Sequence, residues 1–458
     1  MYKRFIRFFD VFVILAVLVS QLGFLSTATT SVSAAPAQDD DLPGFAGVTL
    51  SNVSVNGGGQ VAFVAPGSVF TLSLNYAIVD ADCPGCIDQI EIGYADAPGP
   101  FTCVYNGIPG RAGASGSASI EVTAPSTAGI YYLAFDRSQH YSCGQALEAG
   151  WWNGAPAPGP SNRYVATIIT ATQVVNSAAD TNDGTCDAEN CTLREAINDA
   201  NASEGSDYIV FNIPGEGART ISPLTVLPAI LGPTVIDGYS QAGAAPNSLA
   251  AGDNANLLIQ LNGDSCSPAP CAQGLLLSSG GSTIRGLAIH GNFNNGIEVN
   301  GAESTIAGNF FGLRADGTPH GVAASGIYVN NTLGNTIGGS EPADRNVISN
   351  NRDGIFIAAG AANSSGNLIL NNYIGINPSG TQAQGNRQRG IFVGSFGQIA
   401  SNNVIRGNVI SGNGHFGVLL RDNNVTFNTV SGNLIGLDAS GASALPNGGA
   451  ESNDDGLA

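Results

Sequence analysis

Gly354-Ile-Phe-Ile357 is one copy of a short phrase: glycine, then apolar, any residue, apolar. The same phrase stands at Gly274-Leu-Leu-Leu277, Gly296-Ile-Glu-Val299, Gly326-Ile-Tyr-Val329, Gly390-Ile-Phe-Val393 and Gly417-Val-Leu-Leu420. The steps between copies are 22, 30, 28, 36 and 27 residues. A basic step near 22, lengthened by loops, is one turn of a coil built from three short strands. A second period lies over the first. Phe311-Gly-Leu-Arg-Ala-Asp-Gly-Thr318, Ile374-Gly-Ile-Asn-Pro-Ser-Gly-Thr381 and Ile435-Gly-Leu-Asp-Ala-Ser-Gly-Ala442 are copies, their first glycines 63 and 61 residues apart. Two coils, one with a long loop, make the duplicated unit. Asparagine recurs before the strands at 309, 346, 350, 367, 371, 408, 413 and 433. In stacked coils such residues accept left-handed corners and bond to the next rung. A propeller blade needs about 40 residues and four strands, and the leucine-rich repeat has its own consensus; neither fits. The reading is an all-β parallel β-helix over 216–458.

Upstream stands Asp180-Thr-Asn-Asp-Gly-Thr-Cys186-Asp-Ala-Glu-Asn-Cys191-Thr-Leu-Arg-Glu195-Ala-Ile-Asn-Asp-Ala-Asn201. Thr192 lies three residues before Glu195, the spacing of a capping box. Leu193, Ala196, Ile197 and Ala200 then share one helical face. A short helix begins here, and its apolar face suits a cap on the first coil. The run Cys191-Thr-Leu-Arg-Glu-Ala196 resembles the CSLREA domain of secreted proteins, with Thr for Ser at the capping position, and the likeness continues through Ile236-Asp-Gly-Tyr-Ser-Gln-Ala-Gly243. It assigns 173–215 to a CSLREA-like cap segment. It also implies that a right-handed parallel β-helix follows. The repeats resemble the pectin-lyase-like fold, and that resemblance, not the periodicity, supplies the hand.

Before the cap, residues 45–172 read as short alternating strands. Phe70, Leu72, Leu74 and Tyr76 alternate with polar residues, as do Ile90, Ile92 and Tyr94; Ala118, Ile120, Val122, Tyr164, Ala166 and Ile168 continue the pattern. Period-two strands with Gly/Pro turns predict an Ig-like antiparallel β-sandwich. Trp151 and Trp152, in a Gly/Pro-rich loop, are candidates for a sugar-stacking platform; the alternative is that one fills the edge of the core.

Residues 1–34 carry Lys3, Arg4 and Arg7, an apolar Val11–Val19 run, and Val32 and Ala34 at a small-residue cleavage site. This is the pattern of a secretory signal peptide, with 35–44 as a linker. No later stretch is long and apolar enough to span a bilayer. Eight cysteines in an exported chain suggest disulfides, and the close neighbours are Cys83 with Cys86, Cys103 with Cys143, Cys186 with Cys191, and Cys266 with Cys271. Charged residues are 11%, with 16 basic against 35 acidic and a net charge of −19. Such a chain has no basic patch for nucleic acid. Lys3 is the sole lysine, so Schiff-base chemistry is excluded.

Many pectin-lyase-like proteins cut polysaccharides. A polygalacturonase-type site needs paired carboxylates on adjacent coils with a His beside them. Asn351-Arg-Asp353-Gly-Ile355 resembles the first element of that pattern, but Asn371-Asn372 stands where the Asp pair belongs. A lyase site needs carboxylates around Ca²⁺ and an Arg or Lys base. Asp344, Arg345, Arg352 and Asp353 flank one strand and are the candidates for it; the alternative is solvated turn residues at coil corners. Arg387 and Arg389 are candidates for contacts with acidic glycans. His290 and His320 read as isolated, and no metal or other cofactor is expected. The reading is a secreted or cell-surface, non-catalytic β-helix protein for adhesion or glycan binding. The alternative is a polysaccharide lyase or glycoside hydrolase. The chain is also expected to stop inside a repeat at Gly456-Leu457-Ala458, leaving an open coil that favours self-association.

Overall fold

The computed structural model describes residues 45–448, apart from 58, 80–82, 84 and 160. The export signal, the linker and the terminal phrase at 456–458 lie outside the described residues. The coil region is three parallel sheets. The first has nine strands, from Gln173–Val175 to Thr429–Ser431. The second has eight, from Arg219–Ile221 to Leu434–Ile435. The third has six: Cys271–Leu277, Phe293–Val299, Ser325–Asn330, Asp353–Ala359, Arg389–Ser395 and Val418–Arg421. From Cys271 onward each coil gives one strand to each sheet, which is a parallel β-helix. The right-handed sense is the one that connections between parallel strands adopt.

The glycine phrases fall in the third sheet, and their steric reason is visible there. A methyl group on Gly354 would lie 2.5 Å from the Gly390 carbonyl oxygen, and one on Gly390 would lie 2.6 Å from that of Gly417. No side chain fits. The apolar positions form continuous inward rows. In the first sheet Ile236, Ile284, Ile306, Ile337, Ile369 and Ile405 are in register. In the second the row is Leu261, Ile289, Phe311, Ile348, Ile374 and Ile410. In the third it is Leu275, Ile297, Ile327, Ile355, Ile391 and Val418. All are buried. Each such side chain contributes about 1.5–3 kcal/mol by leaving water.

Asparagines occupy three ladders. Asn309, Asn346, Asn372, Asn408 and Asn433 form the longest; each residue donates its backbone N–H and its Nδ2 to the Oδ1 of the next. Asn335, Asn367, Asn403 and Asn428 form a second. Asn351, Asn386, Asn413 and Asn447 form a third. Neighbouring asparagines divide the work. Asn350, Asn371 and Asn402 take the left-handed corner, with φ of 64°, 54° and 57°. Asn351, Asn372 and Asn403 then enter the ladders. The three long-loop copies share a hairpin closed by Leu313–Pro319, Ile376–Ala383 and Leu437–Ala444 bridges. Their first glycines, Gly312, Gly375 and Gly436, have φ of 75°, 89° and 77°, which a side chain would strain.

The helix Leu193–Ala202 begins in the capping box: the Thr192 hydroxyl accepts the Glu195 N–H, and the Glu195 carboxylate accepts the Thr192 N–H at 2.8 Å. Its buried Leu193, Ala196, Ile197 and Ala200 join Val175 and Ile209 over the first coil. Arg194 clamps Asp180 through two bonds of 3.0 and 2.9 Å.

The N-terminal strands make two sheets. One is Val48–Val55, Val69–Ile78 and Ala114–Thr123; the other is Val61–Val64, Tyr164–Thr170, Gly129–Gln139, Asp88–Tyr94 and Thr102–Gly107. Phe70, Leu72 and Leu74 from the first pack on Ile90, Ile92 and Phe135 of the second. Pairing is antiparallel except for Val61–Val64 with Tyr164–Thr170, which is parallel. The alternation at Asp88–Tyr94 suggested one wet face, but both faces are buried. The short helix Cys143–Ala149 and the loop after it bring Trp151 and Asn153 against the outer face. Arg163 pairs there with Asp136, and on the core-facing side Arg137 pairs with Asp88, each at 3.1 Å. Ile169 and Ala171 meet Tyr208 and Val210 of the first coils in an apolar seam. The cysteines form four bridges: Cys83–Cys86, Cys103–Cys143, Cys186–Cys191 and Cys266–Cys271.

Candidate functional site

The outer surface of the third sheet gathers the side chains best suited to a ligand. Its outward row is Leu276, Glu298, Tyr328, Phe356, Phe392 and Leu419, held in register by the strand pairing. Tyr328 and Phe356 lie 5.2 Å apart; Phe356 and Phe392 stack at 4.6 Å with an 18° tilt. Phe396 meets the edge of Phe356 at 6.0 Å and is 60% exposed. Asp353 and Arg389, 36 residues apart in sequence, pair across neighbouring strands with bonds of 2.6 and 2.8 Å. The Arg389 guanidinium also covers the Phe392 ring at 4.1 Å. Arg352 reaches Asp353 at 3.2 Å with its side chain 43% exposed. The result is an aromatic strip edged by two guanidinium groups, one of them open to solvent. Asn300 and Asn330 border the strip on the other side and bond to each other at 3.1 Å.

The other sequence candidates lie elsewhere. Asp344 and Arg345 stand before the strand Val347–Ile348, and Arg352 and Asp353 after it, and the two pairs bond to different partners. Arg345 instead donates to the carbonyls of Leu249, Ala250 and Gly252 and lies 4.4 Å over the Tyr373 ring. It straps the 245–256 loop to the coils. Asp344 accepts the Glu341 N–H. Arg387 donates to the Val322 and Ala323 carbonyls at a coil corner. The two tryptophans are separated. Trp151 is 9% exposed and donates to the Ala97 carbonyl; Trp152 is 55% exposed, its edge toward His140 at 4.9 Å. They do not form a joint platform. A cleft of about 420 Å³ lies where the sandwich meets the first coil, lined by Phe63, Ala171, Gln173, Cys186 and Asn212 among others.

The two histidines read as isolated in sequence are in contact. His290 Nδ1 lies 2.9 Å from His320 Nδ1. His290 ends the strand Leu287–His290, and His320 follows the first long-loop hairpin. The signal was the 30-residue separation itself, equal to one of the coil steps. His290 Nε2 faces Gln260 Oε1 at 3.3 Å, and His320 Nε2 faces Asp264 Oδ1 at 3.4 Å. Burial first, and then the neighbouring His320, pushes the His290 imidazole down to about 4. No cluster of three or more His, Cys, Asp or Glu side chains suited to a metal ion occurs among the described residues. No helix among them is long and apolar enough to cross a membrane.

Comparison with curated proteins finds no match. Among solved structures, the crystal structure of Escherichia coli YbhC aligns with 62% of this chain and 88% of its own, at 12% identity and a TM-score of 0.29. Residues 313–452 match the family described as "Periplasmic copper-binding protein (NosD)". That segment begins inside the second-sheet hairpin before His320 and takes in the coils that follow.

Proposed function

We propose that this is an exported, non-catalytic β-helix protein that binds acidic glycans on the third sheet, in adhesion or surface recognition. The observation that carries the reading is the strip of Tyr328, Phe356 and Phe396, backed by the buried Phe392 and edged by Arg352 and Arg389. The C–H faces of sugar rings pack on aromatic rings, and guanidinium groups take carboxylate or sulfate through paired bonds. Asp353 is wholly buried between two arginines. That makes it an ion-paired carboxylate that orients Arg389, rather than a free base. In this reading residues 1–34 are a cleaved export signal, 35–44 a linker, 45–172 an Ig-like module, 173–215 a CSLREA-like cap and 216–458 the β-helix. The periplasmic description of the matched family agrees with export.

A glycan array with neutral, uronic and sulfated oligosaccharides tests this. Binding to acidic members is expected, weakened about tenfold by Phe396→Ala or Arg352→Ala with an unchanged melting temperature. A tenfold loss corresponds to about 1.4 kcal/mol. Binding that ignores both substitutions, or none at all, sinks the proposal. Release of unsaturated or reducing ends, abolished by Asp353→Ala, would put the polysaccharide lyase or hydrolase in its place.

A further inference from the structure

We infer that the sandwich closes an ester bond between the side chains of Ser138 and Gln89, joining two neighbouring strands with loss of ammonia. The two residues are cross-strand partners in Gly129–Gln139 and Asp88–Tyr94, and both are buried. The amide of Gln89 is held in one orientation. Its Oε1 accepts the His140 N–H at 2.9 Å; its Nε2 donates to Asn106 Oδ1 at 2.7 Å and to the His140 carbonyl at 3.0 Å. The Ser138 hydroxyl has a single proton, and it is directed at Glu91 Oε1. Its lone pairs are left toward the amide, whose Oε1 lies 3.3 Å away. A hydroxyl that merely solvated a carboxylate leaves one fact unexplained. Glu91 is wholly buried, and its Oε2 has no hydrogen-bond partner. An unsatisfied buried carboxylate is costly, and such groups gather where chemistry is done. Asp136, the cross-strand neighbour of Glu91, is already engaged by Arg163 and Asn153, so Glu91 is the base available to Ser138.

The step balances within these groups. Ser138 Oγ bonds to Gln89 Cδ while its proton passes to Glu91. Charge develops on Gln89 Oε1, where the His140 N–H already points. Collapse of this intermediate breaks the Cδ–Nε2 bond, and Glu91 gives the proton to the departing nitrogen. The amide and the hydroxyl thus become an ester and ammonia, with no oxidant or further reactant. Burial raises the Glu91 carboxyl above its usual range, which makes its carboxylate a stronger base. Asn106 is exposed on the edge strand Thr102–Gly107, so ammonia leaves on that side. The same burial keeps water from replacing Ser138 as nucleophile and from hydrolysing the product. The bond ties together two inner strands of the five-stranded sheet. The site is on the sandwich, away from the proposed glycan strip, so the two proposals stand or fall separately.

The test uses the full chain, purified folded, then reduced to open the Cys103–Cys143 bridge and digested with pepsin. Mass spectrometry should find one branched peptide carrying residues 89 and 138, lighter than its two parts by ammonia, about 17 Da. Hydroxylamine, which cleaves esters, should separate it into two. Ser138→Ala should lack it. Glu91→Gln keeps the hydroxyl and the amide, and should form it about 10²–10⁴-fold more slowly. The wild-type protein alone decides the matter if a variant does not fold. Separate peptides with an intact Gln89 amide would overturn the inference. So would deamidation of Gln89 without a link, about 1 Da heavier, since water would then be the nucleophile. Formation in Glu91→Gln at the wild-type rate would overturn the role of Glu91 and with it the step written above.

Discussion

Asn372 donates to Asn408, accepts from Asn346 and caps the Ile337 carbonyl through Nδ2 at 2.9 Å, all while fully buried. Removing this side chain strands donors on Asn346 and an acceptor on Ile337. Each buried unsatisfied group costs about 1–3 kcal/mol. Asn372→Ala is therefore expected to cost about 3 kcal/mol or more in chemical denaturation, against less than about 0.5 kcal/mol for an exposed asparagine such as Asn182. Asp253 makes the opposite case. Its Oδ1 accepts the Ala255 N–H, but its buried Oδ2 has no hydrogen-bond partner, and burial pushes its carboxyl up to about 6. Unfolded, it titrates near 3.8. The folded chain thus holds a proton between those values that the unfolded chain releases. Its contribution to stability is complete below about pH 4 and is lost as pH rises through 6, leaving an ionised group in a poor site. One pKa unit is about 1.4 kcal/mol, and partial exposure reduces the effect. Asp253→Asn should stabilise by about 1–2 kcal/mol at pH 7 and by nearly nothing at pH 4. Equal effects at both pH values would contradict this account.

Among the elements, the third-sheet strands show why the repeat phrase is strict. Gly354→Ala forces a methyl group onto the Gly390 carbonyl, and overpacking of this kind costs about 1–3 kcal/mol. The same change at Gly360, whose nearest neighbour atoms begin at 3.7 Å, should be tolerated; thermal melts of the two variants check the contrast. The capping element depends on its loop. Replacing both Cys186 and Cys191 by serine should lower stability by about 2 kcal/mol, the entropy of so short a ring, seen as a lower urea midpoint. These elements were legible in sequence because each leaves a local mark: glycine where no methyl fits, Thr and Glu at capping distance, apolar residues at fixed steps. The His290–His320 contact and the Asp353–Arg389 pair left only a distant one, separations of 30 and 36 residues that equal coil steps, and the burial of Glu91 and Asp136 left none. Each depends on which coil or loop lies beside which, and loops of unequal length hide the alignment. For the same reason Asp344 and Arg345, close in sequence to Arg352 and Asp353, turned out to serve a different corner.

At the scale of the molecule, each coil touches mainly the one before and the one after, and almost every ladder bond runs from rung to rung. Stability in such an array is a sum of nearest-neighbour contributions. The apolar seam of Ile169, Ala171, Tyr208 and Val210 extends this continuity into the sandwich. A load gripping the two ends of the stack therefore acts along its hydrogen bonds and asparagine ladders and opens them one layer at a time. Coils of 22–36 residues would each release about 8–13 nm of chain, at roughly 3.5 Å per residue. A pulling experiment should show a train of unequal steps in that range, shortest for the coil between Gly274 and Gly296 and longest for that between Gly354 and Gly390. A transverse load would have to break the bonds of a whole face together. A protein of this build would be compliant and self-healing in one direction and brittle in the other, so the direction in which a surface attachment pulls on it would decide whether it stretches or fails.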